Sequence, residues 1–253
     1  MILNFRTLGK GEPLIILHGV FGSSDNWQSQ AKAFAEKYKV YLVDLRNHGN
    51  SFHSDAFDYQ VMSEDVVALM TSESIEKAYV LGHSMGGKAA MFLASKYPDL
   101  VAQLIVVDIA PKHYLPHHQQ IFEGFHSVNL STLQSRKDAD TQMSQMIKDF
   151  GVRQFILKNL HRDKEGKFSW KINLEAIEAN IENVGVGLPK GYGYGGPVLF
   201  VGGSKSSYIQ PEDEADIKAR FPDSNVVTVE GAGHWVHAEK PAALIAHVLD
   251  FLP

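Results

Sequence analysis

Ala78-Tyr79-Val80-Leu81-Gly82-His83-Ser84-Met85-Gly86-Gly87-Lys88-Ala89-Ala90 is the stretch on which the reading of this chain turns. Ala78 to Leu81 is a short apolar run of buried-strand length, and Ser84 to Tyr97 carries a helical pattern stopped by Pro98. Between them lies G-x-S-x-G. A strand that feeds a helix through this motif must turn sharply, so flanking glycines avoid Cβ clashes. The serine oxygen then projects from the tip of the turn, at a helix N-terminus that favours developing negative charge.

The same alternation runs outward in both directions. Leu14–Leu17 ends in His18-Gly19, Val40–Val43 ends in Asp44, and Leu104–Val107 ends in Asp108. Val198–Val201 ends in Gly202-Gly203, and Val226–Val229 ends in Glu230-Gly231. Ile2 to Thr7 reads as an antiparallel edge strand. Helical patterns fill the gaps: Trp27 to Tyr38, the Met62, Val66, Leu69, Met70 stripe, Glu212 to Arg220, and Ala242 to Leu252. Strands alternating with helices predict an α/β fold with a mostly parallel central sheet flanked by helices.

One interval breaks the rhythm. Between Asp108 and Pro197 there is no strand signal, while Ile121, Phe122 and Phe125, then Phe155, Ile156 and Leu160, then Ile172, Ala176 and Ile177 keep helical spacing. A structureless loop of that length is improbable in a compact domain. Residues 112–196 therefore read as a helical lid inserted between the sixth and seventh strands, with residues 1–111 and 197–253 forming the core. Such an insertion lies above the carboxyl ends of the strands, where open α/β sheets bind ligands.

Composition narrows the function classes. The chain has 253 residues and no cysteine, which excludes disulfide scaffolds, iron–sulfur clusters, cysteine-bearing zinc sites and thiol nucleophiles. Lys plus Arg is 24 against 29 for Asp plus Glu, a net charge of −5 with no basic run, so nucleic-acid binding is not expected. No run of 18 apolar residues and no signal-type leader are present, so the expectation is a cytoplasmic protein without membrane attachment. The partner expected is a small molecule, and oligomeric state is not encoded legibly.

A serine hydroxyl is a weak nucleophile near neutral pH and needs a base. In chains of this architecture the order is serine, acid, histidine. His234 sits just past the final strand, and that position selects it from the 12 histidines. His237 is its main competitor, expected on the following turn in a structural role. The acid is less direct. The segment after the penultimate strand, Gly202 to Tyr208, holds no carboxylate. Asp108, at the tip of the strand before the insertion, is the carboxylate that can orient the imidazole, and Ser206 can add a hydroxyl hydrogen bond. An oxyanion hole requires two amides. Met85 supplies the first and Val20, in His18-Gly19-Val20-Phe21-Gly22, the second, with Phe21 as fallback.

Three other features invite chemistry. Gly191-Tyr192-Gly193-Tyr194-Gly195-Gly196 matches G-x-G-x-x-G but precedes a strand, the wrong context for a dinucleotide loop, so no nucleotide cofactor is expected and the segment reads as a flexible hinge. His113, His117 and His118 lack neighbouring carboxylates at ligand spacing, so no metal is expected. Asp44 to Ser51 reads as a structural turn at a strand tip.

Four stretches together resemble the α/β-hydrolase fold over essentially the whole chain, and more closely the YbfF-type esterases: His18–Ser23, Asp44–Gly49, Gly82–Ala89 and Gly231–Pro241. Asp108-Ile109-Ala110-Pro111 is similar too. The resemblance implies an esterase acting on short acyl esters or thioesters, acyl-CoA types included, under a helical lid. It also implies that Ser84, Asp108, Ser206 and His234 act together, Ser206 standing where other hydrolases place Asp. Phe21 and Trp235 are candidates for an apolar acyl pocket, although Phe21, Trp27, Phe122, Phe125 and Trp235 read equally as core aromatics. Two other classes use the same scaffold: a carbon–carbon lyase or synthase keeping Ser and His, and a non-catalytic small-molecule receptor.

Overall fold

The apolar runs are continuous because the strands are buried on both faces. In the computed structural model, which describes residues 1–253, Leu14 and Ile16 point to one side of the sheet and Ile15 and Leu17 to the other, into two separate clusters. Alternate residues of a strand face opposite ways, so only a sheet covered twice has this pattern.

The chain runs β1 (Phe5–Leu8), β2 (Pro13–Leu17), α1 (Gln28–Phe34), β3 (Lys39–Val43), α2 (Tyr59–Ser72), β4 (Ala78–His83), α3 (Met85–Lys96) and β5 (Val101–Val107). The insertion holds α4 (Gln119–His126), α5 (Arg136–Met143), α6 (Phe150–Leu157), β6 (Leu160–Arg162), β7 (Phe168–Trp170), α7 (Leu174–Ala179) and α8 (Ile181–Gly185). The core resumes with β8 (Val198–Gly203), α9 (Glu214–Arg220), β9 (Ser224–Val229), α10 (Val236–Glu239) and α11 (Pro241–Phe251). The central sheet has seven strands in the order β1-β3-β2-β4-β5-β8-β9. The N-terminal strand is antiparallel to β3, and every other pairing in this sheet is parallel.

Trp27, Ala31 and Phe34 join Val236, Leu244 and Val248 over one face. On the other, α2 and α3 cover Ile15, Val80 and Val106. Asp58 caps α2 by accepting from the Val61 amide. No helix is long and apolar enough to cross a membrane.

The insertion differs from the sequence reading in two respects. It leaves the central sheet between the fifth and sixth strands in chain order, not the sixth and seventh, because only five strands precede it. It also contains a small hairpin, β6–β7, whose three-residue strands are too short to leave a period-two signature. Phe122, Phe125, Met143, Ile156 and Ile177 belong to the same cluster as the α2–α3 face, so the insertion shares the core.

Its two roots are tied together. The Leu188 amide donates to the Pro111 carbonyl at 2.8 Å, and the Tyr114 amide donates to Gly185 at 2.8 Å. Beneath them Lys88 of α3 is fully buried. Its Nζ donates to the carbonyls of Lys112 at 2.5 Å, Val186 at 2.8 Å and Pro111 at 3.4 Å. Burial pulls this ammonium down to about 7. The glycine-rich segment, expected to be a flexible hinge, is pinned: the buried Tyr194 hydroxyl donates to Val101 at 2.9 Å and the Tyr194 amide to Arg220. Gly193 and Gly196 are there for close approach: a Cβ on Gly193 would lie 2.4 Å from the Arg220 carbonyl oxygen, and one on Gly196 2.2 Å from the Tyr194 hydroxyl.

Candidate active site

The turn between β4 and α3 is as tight as its sequence demands. A Cβ on Gly82 would sit 2.2 Å from the Gly86 carbonyl oxygen, and one on Gly86 would sit 2.4 Å from that of Leu17. Ser84 at the tip adopts φ 52° and ψ −118°, a left-handed backbone that costs a non-glycine residue about 1–3 kcal/mol. Asp108, at the end of the adjacent β5, has φ 51°, and Phe21, after β2, has φ 60°. Positive φ at three neighbouring strand ends is strain concentrated where side chains must be aimed rather than packed.

The structure brings four sequence-predicted side chains into one line. His234 Nε2 is 3.1 Å from Ser84 Oγ, and its Nδ1 is 2.7 Å from Asp108 Oδ2. Asp108 is wholly buried. Its charge is met by three donors: the imidazole, the Ser206 hydroxyl at 2.5 Å on Oδ2, and the Gly203 amide at 2.9 Å on Oδ1. An ionised carboxylate accepts only, so the Nδ1 facing it carries the proton and leaves Nε2 free to accept from serine. The Gly203 amide has no side-chain signature in the sequence; the β8 register delivers it.

Met85 opens α3, so its amide belongs to the helix-terminal donors that lack an intrahelical partner. Val20's amide finds no acceptor within the protein, whereas Phe21's amide donates to His48 Nε2 at 3.2 Å. That engagement removes Phe21 as the fallback donor.

The site opens into a cavity of about 290 Å³. Phe21 and Trp235 line it, together with Val20, Val152 and Phe155 of α6 and Tyr208. Phe155 and Trp235 meet at 5.5 Å between ring centroids. Phe21 borders the cavity and also packs edge-on against Phe122 at 5.4 Å.

Histidines crowd this end of the sheet, and burial forces most of them neutral. His237 is pushed down to about 3 and stacks on Trp27 at 4.5 Å, the structural role expected of it. Burial pushes His48 to about 3, His118 to about 4 and His83 well below the usual range. His83 Nε2 donates to the His234 carbonyl at 2.8 Å. His18 Nε2 accepts from the Leu45 amide, so His18 braces the turn and is no base. Asp44 is likewise structural, accepting from the Ser24 and Asn50 amides. His117 and His118 line the cavity, and no group of three or more His, Cys, Asp or Glu side chains is arranged to hold a metal ion.

Comparison with known proteins identifies the fold family. The alpha/beta hydrolase fold family matches residues 12–241. The chain is 39% identical to the mouse sn-1-specific diacylglycerol lipase ABHD11 over 94% of this chain and 80% of that protein. It is 35% identical to Esterase YbfF of Escherichia coli K12, covering 95% and 92% of the two chains. A solved structure described as a marine microorganism esterase superposes with a TM-score of 0.96 at 43% identity, covering 99% of both chains. With a seven-stranded sheet, a serine at the β4–α3 turn and a histidine past the last strand, matched over most of its length, this chain belongs to the α/β-hydrolase fold family.

Proposed function

We propose that this protein is a serine esterase hydrolysing short- to medium-chain acyl esters through an acyl-enzyme, with thioesters, acyl-CoA types included, within its range. The observation that carries the reading is the continuous line from Ser84 Oγ through His234 to Asp108, at 3.1 and 2.7 Å, opening on an apolar-walled cavity. Relatives named lipase and esterase support an ester substrate.

His234 Nε2 takes the proton of Ser84 as the oxygen attacks the carbonyl carbon. The amides of Met85 and Val20 hold the oxyanion, and His234 then protonates the departing alcohol or thiol. Water, deprotonated by the same imidazole, releases the acid. Asp108 fixes the tautomer and offsets the charge of the imidazolium. Ser206 and the Gly203 amide hold that carboxylate in place, which lets a hydroxyl occupy the β8 loop where no acid is present. The cavity, about 290 Å³, lies near the lower end of ligand pockets, about 300–1,000 Å³, which suits acyl groups of modest length.

The test is a panel of p-nitrophenyl esters and acyl thioesters of increasing acyl length. A burst of p-nitrophenol that disappears in Ser84→Ala, with kcat/KM highest at short to medium chains, is expected. Full turnover in Ser84→Ala contradicts the reading. Ester hydrolysis with no thioester hydrolysis removes the thioester part alone.

A further inference from the structure

Tyr208 stands over the imidazole and is used by nothing described so far. Its ring lies face to face with His234 at 3.9 Å between centroids, 17° from parallel. Three bonds hold it there. Its amide donates to Ser206 Oγ at 3.2 Å, its carbonyl accepts from the Tyr114 hydroxyl at 2.5 Å, and its own hydroxyl lies 2.8 Å from His117 Nε2. His117 Nδ1 faces the Leu115 carbonyl at 3.3 Å, so Nδ1 carries the proton and Nε2 accepts from the tyrosine. Burial raises the phenol to about 12, which keeps it a neutral donor.

We propose that Tyr208 is a positioning residue for His234: its ring face favours the protonated imidazole formed during acyl transfer, and His117, reaching down from the insertion, locks that ring in place. The inference rests on His234 being the base of the proposed reaction. The physics is a cation over an aromatic face. Neutral imidazole gains little from the ring quadrupole and imidazolium gains more, so the contact strengthens as the proton arrives. The other groups around His234 do not substitute for it. Asp108 meets its Nδ1 edge. His83 and His237, from β4 and α10, and His118, above the cavity, are held neutral by burial. Ser84 meets the Nε2 edge. Ser206 is also tied in, because the Tyr208 amide occupies one of its lone pairs and turns its proton toward Asp108.

The experiment compares Tyr208→Leu, Tyr208→Phe and His117→Ala by two readouts. The first is the kcat/KM–pH profile on p-nitrophenyl acetate. The second is NMR titration of the His234 ring, which needs no turnover and so reads the proposal even if the ester assignment fails. In Tyr208→Leu, kcat falls about 3- to 30-fold, and both the acid limb and the His234 titration move to lower pH. Tyr208→Phe keeps the ring face and restores the titration to the wild-type position. It loses only the bond to His117, so combining it with His117→Ala adds no further loss. Should Tyr208→Leu fail to fold, Tyr208→Met, which fills similar volume without a ring face, replaces it. An unshifted titration in the folded Leu or Met variant overturns the proposal. A shift in Tyr208→Phe as large as in Leu overturns the ring-face account, and additive losses in the double variant overturn the His117 lock.

Discussion

The sheet core and the insertion contribute different things to one cavity. Every polar atom in the Ser84–His234–Asp108 line comes from the core, at the ends of β4, β5, β8 and β9. The insertion contributes apolar wall, from Val152 and Phe155, and two polar links to Tyr208, from His117 and Tyr114. The core can aim atoms because the ends of β4, β5 and β8 are fixed by parallel ladders on both sides, and β9 is fixed by its ladder to β8. The insertion is built of helices no longer than eight residues and a hairpin of three-residue strands. Such elements form from tertiary contact rather than intrinsic propensity. The division predicts that core changes strike kcat and insertion changes strike KM and chain-length preference.

The sharpest way to break this contrast is Asp108→Asn. The amide can present the wrong atom to Nδ1, and kcat is expected to fall about 10⁴-fold. Ser206→Ala removes one neutral donor from the same carboxylate and should cost about 10- to 100-fold, with the Gly203 amide still in place. If Ser206→Ala is inactive while Asp108→Asn is not, the two roles are reversed. On the insertion side, Phe155→Ala opens the cavity wall. It should raise KM for short esters about 3- to 10-fold and shift preference to longer chains with kcat nearly unchanged. A kcat collapse there would erase the division.

Stability offers a second comparison. His18, His48, His83 and His237 are buried at the active end of the core with depressed pKa values. Below about pH 6.5 the unfolded chain binds protons that the folded chain refuses, so each costs up to about 1.4 kcal/mol per pH unit. The histidine contribution to the unfolding free energy measured by urea should be full above pH 6.5 and fall steadily toward pH 4; a flat profile across that range contradicts their burial. Lys88 acts at the other end of the scale. Its folded value of about 7 lies below the ordinary 10.5, so stability contributed by this group rises with pH between those values. Lys88→Met should abolish that rise and speed amide exchange at residues 112–114 and 184–188, because the insertion roots lose their common anchor. The smallest effects are in the glycine-rich segment. Gly193→Ala must displace the Arg220 backbone and lowers Tm, while Gly195→Ala meets no atom within 4 Å and changes Tm little.

How much of this was legible depended on whether the signal was local. The β4–α3 turn was readable because its glycines, serine and flanking patterns are contiguous, and the strands because two-sided burial leaves unbroken apolar runs. His234 and Asp108 were found from their place at strand ends. The Tyr208 stack was invisible: a tyrosine in a loop says nothing about the ring it will face 26 residues later in the chain. Lys88 sits four residues after Ser84, yet its contacts are to carbonyls at positions 111, 112 and 186, which no spacing rule connects. The glycine-rich segment misled for a related reason. Glycine permits close packing as well as motion, and only the position of Arg220 distinguishes the two.

The central claim is that Ser84 is the one activated nucleophile. Reaction with a fluorophosphonate probe, followed by peptide mass spectrometry, tests it most directly. The account predicts stoichiometric labelling confined to Ser84, absent in Ser84→Ala and strongly slowed in His234→Ala. An unlabelled wild-type protein, or an adduct on any other residue, would contradict it.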